Sequence, residues 1–322
     1  MHTALRPLLA LTAMFTMPAI ALAQNFPAKP IRMVMSTTAG SQPDAIARMI
    51  AQKMSERWGR PVIVDNRPGA GGALAAPLVA KAAPDGHTLL YVLPNFVISP
   101  ALHPGFNYSS LKEFAGIGQI GFSTNLLVAT PSLGAKTIND FITVAKAQPG
   151  KIIFGSSATG SASHLSGMRF NTLAGIKVVH VAFKGGPDAA IEILGGRTHY
   201  TVATLGVALA FIKEGKLLAL AVTTPQRTPV LPGVPSLSEL MPEFKNTETS
   251  HGLLAPAGTP LPIRQQISKE LARDLDLPDI KERLNTIGYV IAPSTPEAYD
   301  KILRDQFETV VKLVQDAGLR AK

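Results

Sequence analysis

The stretch KIIFGSSATGSASHLSGMRFNTLA, Lys151 to Ala174, decides the fold. Lys151–Gly155 is a short β-rich apolar run, and Ser161–Ala174 has a helical pattern. Between them, Gly155-Ser156-Ser157-Ala158-Thr159-Gly160-Ser161 joins strand to helix with hydroxyls and glycines. Strand, polar loop and helix in immediate succession form the repeating unit of α/β proteins. Such a loop gathers hydroxyls and free backbone N–H groups at the positive end of a helix dipole, where a carboxylate or phosphate binds. A purely local reading also stands, with Ser161 as N-cap and the glycines relieving turn strain.

The same unit recurs on both sides. Ile31–Ser36 reads as a strand and Gln42–Trp58 as a helix, with Ile46, Met49, Ile50 and Met54 at spacings of three and four. The loop between reads Ser36-Thr37-Thr38-Ala39-Gly40-Ser41, and Ser41-x-x-Asp44 predicts a capping box. Asp44 is either a first-turn dipole partner or a ligand contact. Pro61–Val64 and Thr88–Leu93 read as strands, and Gly69-Ala70-Gly71-Gly72 opens a small-residue helix. From Asn125 the alternation restarts and runs to Leu217–Thr223. Within it, Phe183-Lys184-Gly185-Gly186 offers a cation and bare backbone at another strand end, with Lys184 either at the ligand or solvated. Past Leu253 the pattern is mostly helical. The class is therefore α/β, with mostly parallel sheets flanked by helices. Ligands bind at the strand-to-helix edge of such sheets, and two facing edges make a cleft.

Composition narrows the chemistry. The chain has 322 residues, too many for one ordinary core, so two domains are expected. Its 46% hydrophobic content suits a packed protein. Zero cysteine excludes disulfides, cysteine-ligated metals and a thiol nucleophile. A formal charge of +9 favours an anionic partner. The basic residues are dispersed without aromatic interleaving, which argues against nucleic acid. Residues 1–23 carry Arg6, an apolar run Leu8–Ile20 and Ala21-Leu22-Ala23, the pattern of a secretory signal peptide cleaved near Ala23-Gln24. Export to the periplasm removes access to a nucleotide pool.

Other signatures fail on context. Gly116-x-Gly118-x-x-Gly121 matches a dinucleotide fingerprint in spacing, yet a strand follows where a helix is required. It reads instead as a flexible inter-domain connection. There is no G-x-S-x-G elbow, and the histidines show neither H-x-H nor HExxH spacing. No catalytic residue, metal or cofactor is expected. Trp58, at the end of the first helix, points to core packing.

Specific strings carry a family resemblance: Asp65-Asn66-Arg67-Pro68-Gly69-Ala70-Gly71-Gly72, Ala83-Pro84-Asp85-Gly86-His87-Thr88, Val181-Ala182-Phe183-Lys184-Gly185, and Leu253-Leu254-Ala255-Pro256-Ala257-Gly258-Thr259-Pro260. With these, the chain resembles the tripartite tricarboxylate transporter substrate-binding proteins, the Bug receptors. The resemblance implies a two-domain periplasmic binding fold, type II-like, with domain 1 at residues 24–123 plus 250–322 and domain 2 at 124–249. It implies hinge closure on a small organic anion, delivery to a membrane permease of that transporter type, and a monomer. A periplasmic sensor is the alternative partner, and an exported hydrolase using Ser157 or His164 the weakest alternative. Carried onto this sequence, the ligand-binding residues would be Thr37, Thr38, Gly40, Ser41, Asp44, Asn95, Ser156, Ser157, Thr159, Gly160, Ser161, His164, Lys184, Gly185 and Thr204. Two departures matter. The family's aromatic first loop is here Ser36 to Ser41, which predicts a roomier or more polar pocket. An acidic strand end is here His199-Tyr200-Thr201-Val202-Ala203-Thr204. With no carboxylate there to pair an ammonium, an unaminated acid is expected, either a dicarboxylate or an aromatic carboxylate.

Overall fold

The structure is a computed structural model. It describes residues 26–69, 73–102, 111–159, 161–244 and 250–316. The expected signal peptide, its cleavage site and the Ala70-Gly71-Gly72 run lie outside the described residues.

The first lobe begins with β1 (Ile31–Met35), α1 (Gln42–Trp58), β2 (Val62–Asn66), α2 (Ala75–Ala80), β3 (Thr88–Val92), α3 (Asn95–Leu102) and β4 (Phe114–Ser123). After the single residue Thr124 the chain enters a second sheet. There it forms β5 (Asn125–Ala129), α4 (Ile138–Ala147), β6 (Ile153–Ser156), α5 (Ala162–Ala174), β7 (Val179–Ala182), α6 (Gly186–Leu194), β8 (Tyr200–Thr204), α7 (Leu205–Lys213) and β9 (Leu218–Val222). The proline-rich passage holds one short helix, α8 (Leu237–Leu240). The chain then returns to the first sheet through β10 (His251–Pro256), α9 (Leu261–Leu275), α10 (Pro278–Thr286), β11 (Tyr289–Ile291) and α11 (Pro296–Asp316).

The first sheet has the order β11-β4-β10-β3-β1-β2 and the second β7-β6-β8-β5-β9. Both sheets are mixed. Consecutive strand–helix–strand crossovers give the parallel pairs β1 with β2 and β3, and β6 with β7 and β8. The two strands entered from the other lobe insert antiparallel, β10 against β3 and β4 and β5 against β8 and β9, and β11, which follows α10 within the first lobe, is antiparallel to β4. The α/β class stands, while the crossings dilute the expected parallel character. The stretch past Leu253 also contributes β10 and β11, which its helical periodicity hides.

Alternation along each strand sends side chains to opposite faces. Met33, Leu89 and Leu253 meet Ile46, Ile50 and Met54 of α1 on one face of the first sheet. Val34, Leu90 and Leu254 meet Phe96, Tyr299 and Leu303 on the other. In the second sheet Leu127, Phe154 and Tyr200 face Phe141 and Phe170, and Leu126 and Val128 face Ile193 and Leu205. Each fully buried side chain of this size contributes about 1.5–3 kcal/mol. Trp58 packs half-buried against the first cluster, edge-on to Phe26.

Two local expectations need correction. Gly116, Gly118 and Gly121 are not a flexible connection; they lie in β4, hydrogen-bonded between β10 and β11. They are glycines because neighbouring backbone crowds the strand. A Cβ on Gly118 would lie 2.8 Å from the Ser294 carbonyl oxygen, and Gly121 has φ +151 under the Val290 carbonyl. The capping box at Ser41 also does not form. The Ser41 hydroxyl donates to the Thr38 carbonyl at 2.8 Å and makes no cap to the helix.

Candidate functional site

A cleft of about 1180 Å³ lies between the two sheets, at the loops that follow the strands. The expected residues Thr37, Thr38, Ser41, Asn95, Ser157, Thr159, Ser161, Lys184, Gly185 and Thr204 line it. Four of them, Ser41, Ser161, Gly185 and Thr204, are N-caps of α1, α5, α6 and α7. Four helix N-termini therefore open into one space, each with unpaired N–H groups and a positive dipole end. The connectivity makes this unavoidable, because each strand carries its helix back from the same edge.

The β6–α5 loop is a chain of hydroxyls. Ser163 Oγ accepts the Ser157 N–H at 2.9 Å and lies 2.9 Å from both Ser157 Oγ and Ser161 Oγ. Ser161 Oγ accepts the His164 N–H at 3.2 Å and donates its one proton to the Ala158 carbonyl. Ser163 can then donate to Ser161, which leaves the Ser157 proton able to turn to the cleft. On the opposite wall, the Ser41 proton is committed to Thr38, so Thr37 Oγ1 donates to Ser41 Oγ across 3.2 Å. Asn95 Nδ2 donates to Ser36 Oγ at 3.1 Å.

The remaining expected residues do not line the cleft. Asp44 is buried beneath its loop. Its Oδ2 accepts from Gly40 N–H at 2.9 Å and Arg48 Nε at 3.0 Å, and its Oδ1 from Asn66 Nδ2 at 2.9 Å. Burial pushes its pKa up; the hydrogen bonds from Arg48, Gly40 and Asn66 outweigh that and hold it below the usual value. Asp44 thus sits off the described cleft wall with three donors around it, and Gly40 is one of them. Ser156 is fully buried, with Oγ 2.8 Å from His180 Nε2. His164 stacks on His180, ring centroids 4.3 Å apart at 16°. Burial lowers the His180 pKa, which keeps that ring neutral at neutral pH. Gly160 lies outside the described residues.

Gln42, Ser99 and Ser163 also line the cleft, inside the segments 37–44, 95–99 and 156–164 where the resemblance puts the binding loops, and Phe183 does so beside Lys184. Phe122, Thr201 and His251 are wall residues that the sequence reasoning missed. His251 is brought in only by the antiparallel return of β10. It is fully buried, and burial pushes its pKa down to about 4, so it is neutral. The charged residues on the described wall are Lys81, Glu113 and Lys184, and Lys184 is exposed. Among the described residues, no three His, Cys, Asp or Glu side chains converge as a metal site. Apart from those three, the described wall consists of uncharged polar groups and small apolar surfaces.

Comparison with known proteins places the chain. Residues 46–319 match the tripartite tricarboxylate transporter family receptor profile. A relative from Agrobacterium vitis, described as the UPF0065 protein in the TAR-I ttuE-ttuC' intergenic region, is 34% identical over 308 residues, covering 94% of this chain and 88% of its own. Rpa4515 of R. palustris, solved with adipate, is 29% identical with a TM-score of 0.86, covering 91% of this chain and 98% of its own. MatC of Rhodopseudomonas palustris, solved with bound malate, is 29% identical with a TM-score of 0.82, covering 90% of this chain and 100% of its own. With its two mixed sheets, its cleft at the strand ends and this match, the chain belongs to the tripartite tricarboxylate transporter receptor family of periplasmic solute-binding proteins.

Proposed function

We propose that the protein captures a small unaminated carboxylate by closing its two lobes and delivers it to a tripartite tricarboxylate-type membrane permease. The lobes of this reading are residues 24–123 with 250–322, and 124–249, working as a monomer after removal of residues 1–23 in the periplasm. The observation that carries it is the wall itself: four helix N-termini and the Ser157–Ser163–Ser161 hydroxyls converge where Glu113 is the one acidic lining residue described. A carboxylate gains charge-assisted hydrogen bonds there, whereas an ammonium finds little to pair with. Relatives solved with adipate and malate support the carboxylate class. We assign the anion contacts to Ser157, Thr159, Thr38 and Lys184, and leave Asp44 in its loop.

A thermal-shift screen followed by calorimetry tests the reading. The panel holds mono-, di- and aromatic carboxylates together with glutamate and aspartate. A raised melting temperature with an unaminated acid is expected. Glutamate or aspartate as the tightest ligand would sink the unaminated class, and silence across the whole panel would sink the receptor reading.

A further inference from the structure

The lobes touch across the cleft by seating side chains of the first on bare backbone of the second. Gln42, the first residue of α1, packs its carboxamide on Gly206 in the first turn of α7. A Cβ placed on Gly206 would lie 3.0 Å from Gln42 Nε2, 3.3 Å from its Cδ and 3.1 Å from Ile287 Cβ. Thr38 makes a similar contact, its Oγ1 3.1 Å from where a Cβ on Gly185 would stand. Neither glycine needs a left-handed backbone: Gly185 is extended at φ 178, and Gly206 is not among the positive-φ glycines. Their missing side chains serve the close approach of the lobes.

Gln42 is also anomalous in its own bonding. It belongs to the cleft wall, yet its Oε1 and Nε2 are shielded from solvent and have no hydrogen-bond partner among the described residues. A shielded polar group without a partner is disfavoured relative to the same group in water. Parting the lobes would lift Gly206 away and let water reach the carboxamide. Closing on an empty cleft therefore strips Gln42 of hydrogen bonds and returns none.

We propose that Gln42 is a positioning residue that couples closure to occupancy. It disfavours the closed arrangement of the empty receptor, and occupancy relieves the penalty by drawing the carboxamide round to a polar group of the bound anion or to a water that the anion retains. Gly206 is the socket that permits closure. The proposal rests on the receptor reading only in taking closure as the working motion.

The two residues give opposite tests in the ligand-free protein. The chain has no cysteine, so spin labels can be attached at Ala45→Cys on α1 and Asp188→Cys on α6, both exposed and outside the cleft wall. Pulsed EPR then reads the interlobe distances. Gln42→Leu, apolar and of similar size, should raise the closed fraction at least threefold. Gly206→Ala should lower it by a similar factor while the melting temperature holds or rises, because alanine is the better helix former. Gln42→Glu, which seals a charge in the same place, should also lower the closed fraction and serves if Gln42→Leu folds poorly. A merely structural role would change melting temperatures and leave the distances alone. The proposal is overturned if Gln42→Leu fails to populate the closed state, or, where that variant does not fold, if Gln42→Glu leaves the distances unchanged. Equal distances in Gly206→Ala and the parent would overturn the socket. None of these measurements uses a ligand, so failure of the carboxylate screen remains a separate result.

Discussion

Asp44 Oδ2 accepts the backbone N–H of Gly40 at 2.9 Å and so ties the β1–α1 loop to the helix beneath the cleft. The same carboxylate holds Arg48 and Asn66. Asp44→Ala removes a buried acceptor from three donors, which should cost about 2–4 kcal/mol and loosen the loop that carries Thr37 and Thr38. Asp44→Asn should cost less, because one amide oxygen still serves one donor. The pH dependence has a fixed sign. The folded pKa is depressed, so the contribution is present above the unfolded value near 4 and is lost as pH falls through the folded value. Urea unfolding at pH 7 and pH 3 should show the gap between native protein and Asp44→Asn shrinking in acid.

The β4 glycines make a second prediction. A dinucleotide loop tolerates its glycines for the sake of a ligand; these are fixed by packing. Gly118→Ala would press a methyl against the Ser294 carbonyl oxygen at 2.8 Å, and Gly121→Ala would add strain at φ +151. Each should lower stability by about 2–4 kcal/mol, with Gly121→Ala the worse. Denaturant midpoints measure it. A Gly118→Ala protein of native stability would mean that the strand and the residue 294 loop are free to separate.

These glycines mark where the sequence was legible and where it was not. The βαβ rhythm was readable because each element carries its own period: α1 spans Gln42–Trp58, as its apolar spacing predicts. β4, β10 and β11 were not, because their pairing partners lie more than a hundred residues away and leave no local trace. In the site, the hydroxyl loops were readable from strand–loop–helix order alone. His251 was not, since its place on the wall depends on the chain crossing between sheets twice. Asp44 shows a different limit. Its residue type and position suit both a ligand and a loop clamp, and the donors that surround it, Arg48 and Asn66 among them, are brought there by the fold.

Asp274 should make the protein less stable at neutral pH than its substitution by asparagine. The side chain is buried against Arg57, whose Nη2 lies 2.8 Å from Oδ1 without hydrogen-bond geometry. Burial raises its pKa to about 6, an effect that Arg57 offsets only in part. With the folded value above the unfolded one, the contribution is full below pH 4 and is lost as pH rises through 6. Ionisation therefore costs up to about 3 kcal/mol at pH 7.5. Asp274→Asn keeps the shape without the charge, and Arg57 retains Glu270 at 2.8 Å. Melting temperature followed from pH 4.5 to 8 should fall in the native protein relative to the variant. Parallel curves would show that Asp274 is ionised throughout.

The anchor of the anion is the last prediction. Ser163 is pinned by the Ser157 N–H and Ser161 by its cap and the Ala158 carbonyl, so these two hydroxyls hold the loop in shape. Ser157 has the one proton in that chain that can leave its neighbour for a ligand, and Thr159 stands beside it on the wall. Ser157→Ala with Thr159→Ala should therefore weaken carboxylate binding by about 1–3 kcal/mol while leaving the melting temperature of the empty protein nearly unchanged. Ser163→Ala should do the reverse: it strips Ser157 N–H of its acceptor and should destabilise the loop first. Calorimetry with the best acid from the screen, paired with melts of the empty variants, separates the two. If the double variant binds as tightly as the native protein, the anion is held instead from the opposite wall, at the N-terminus of α1.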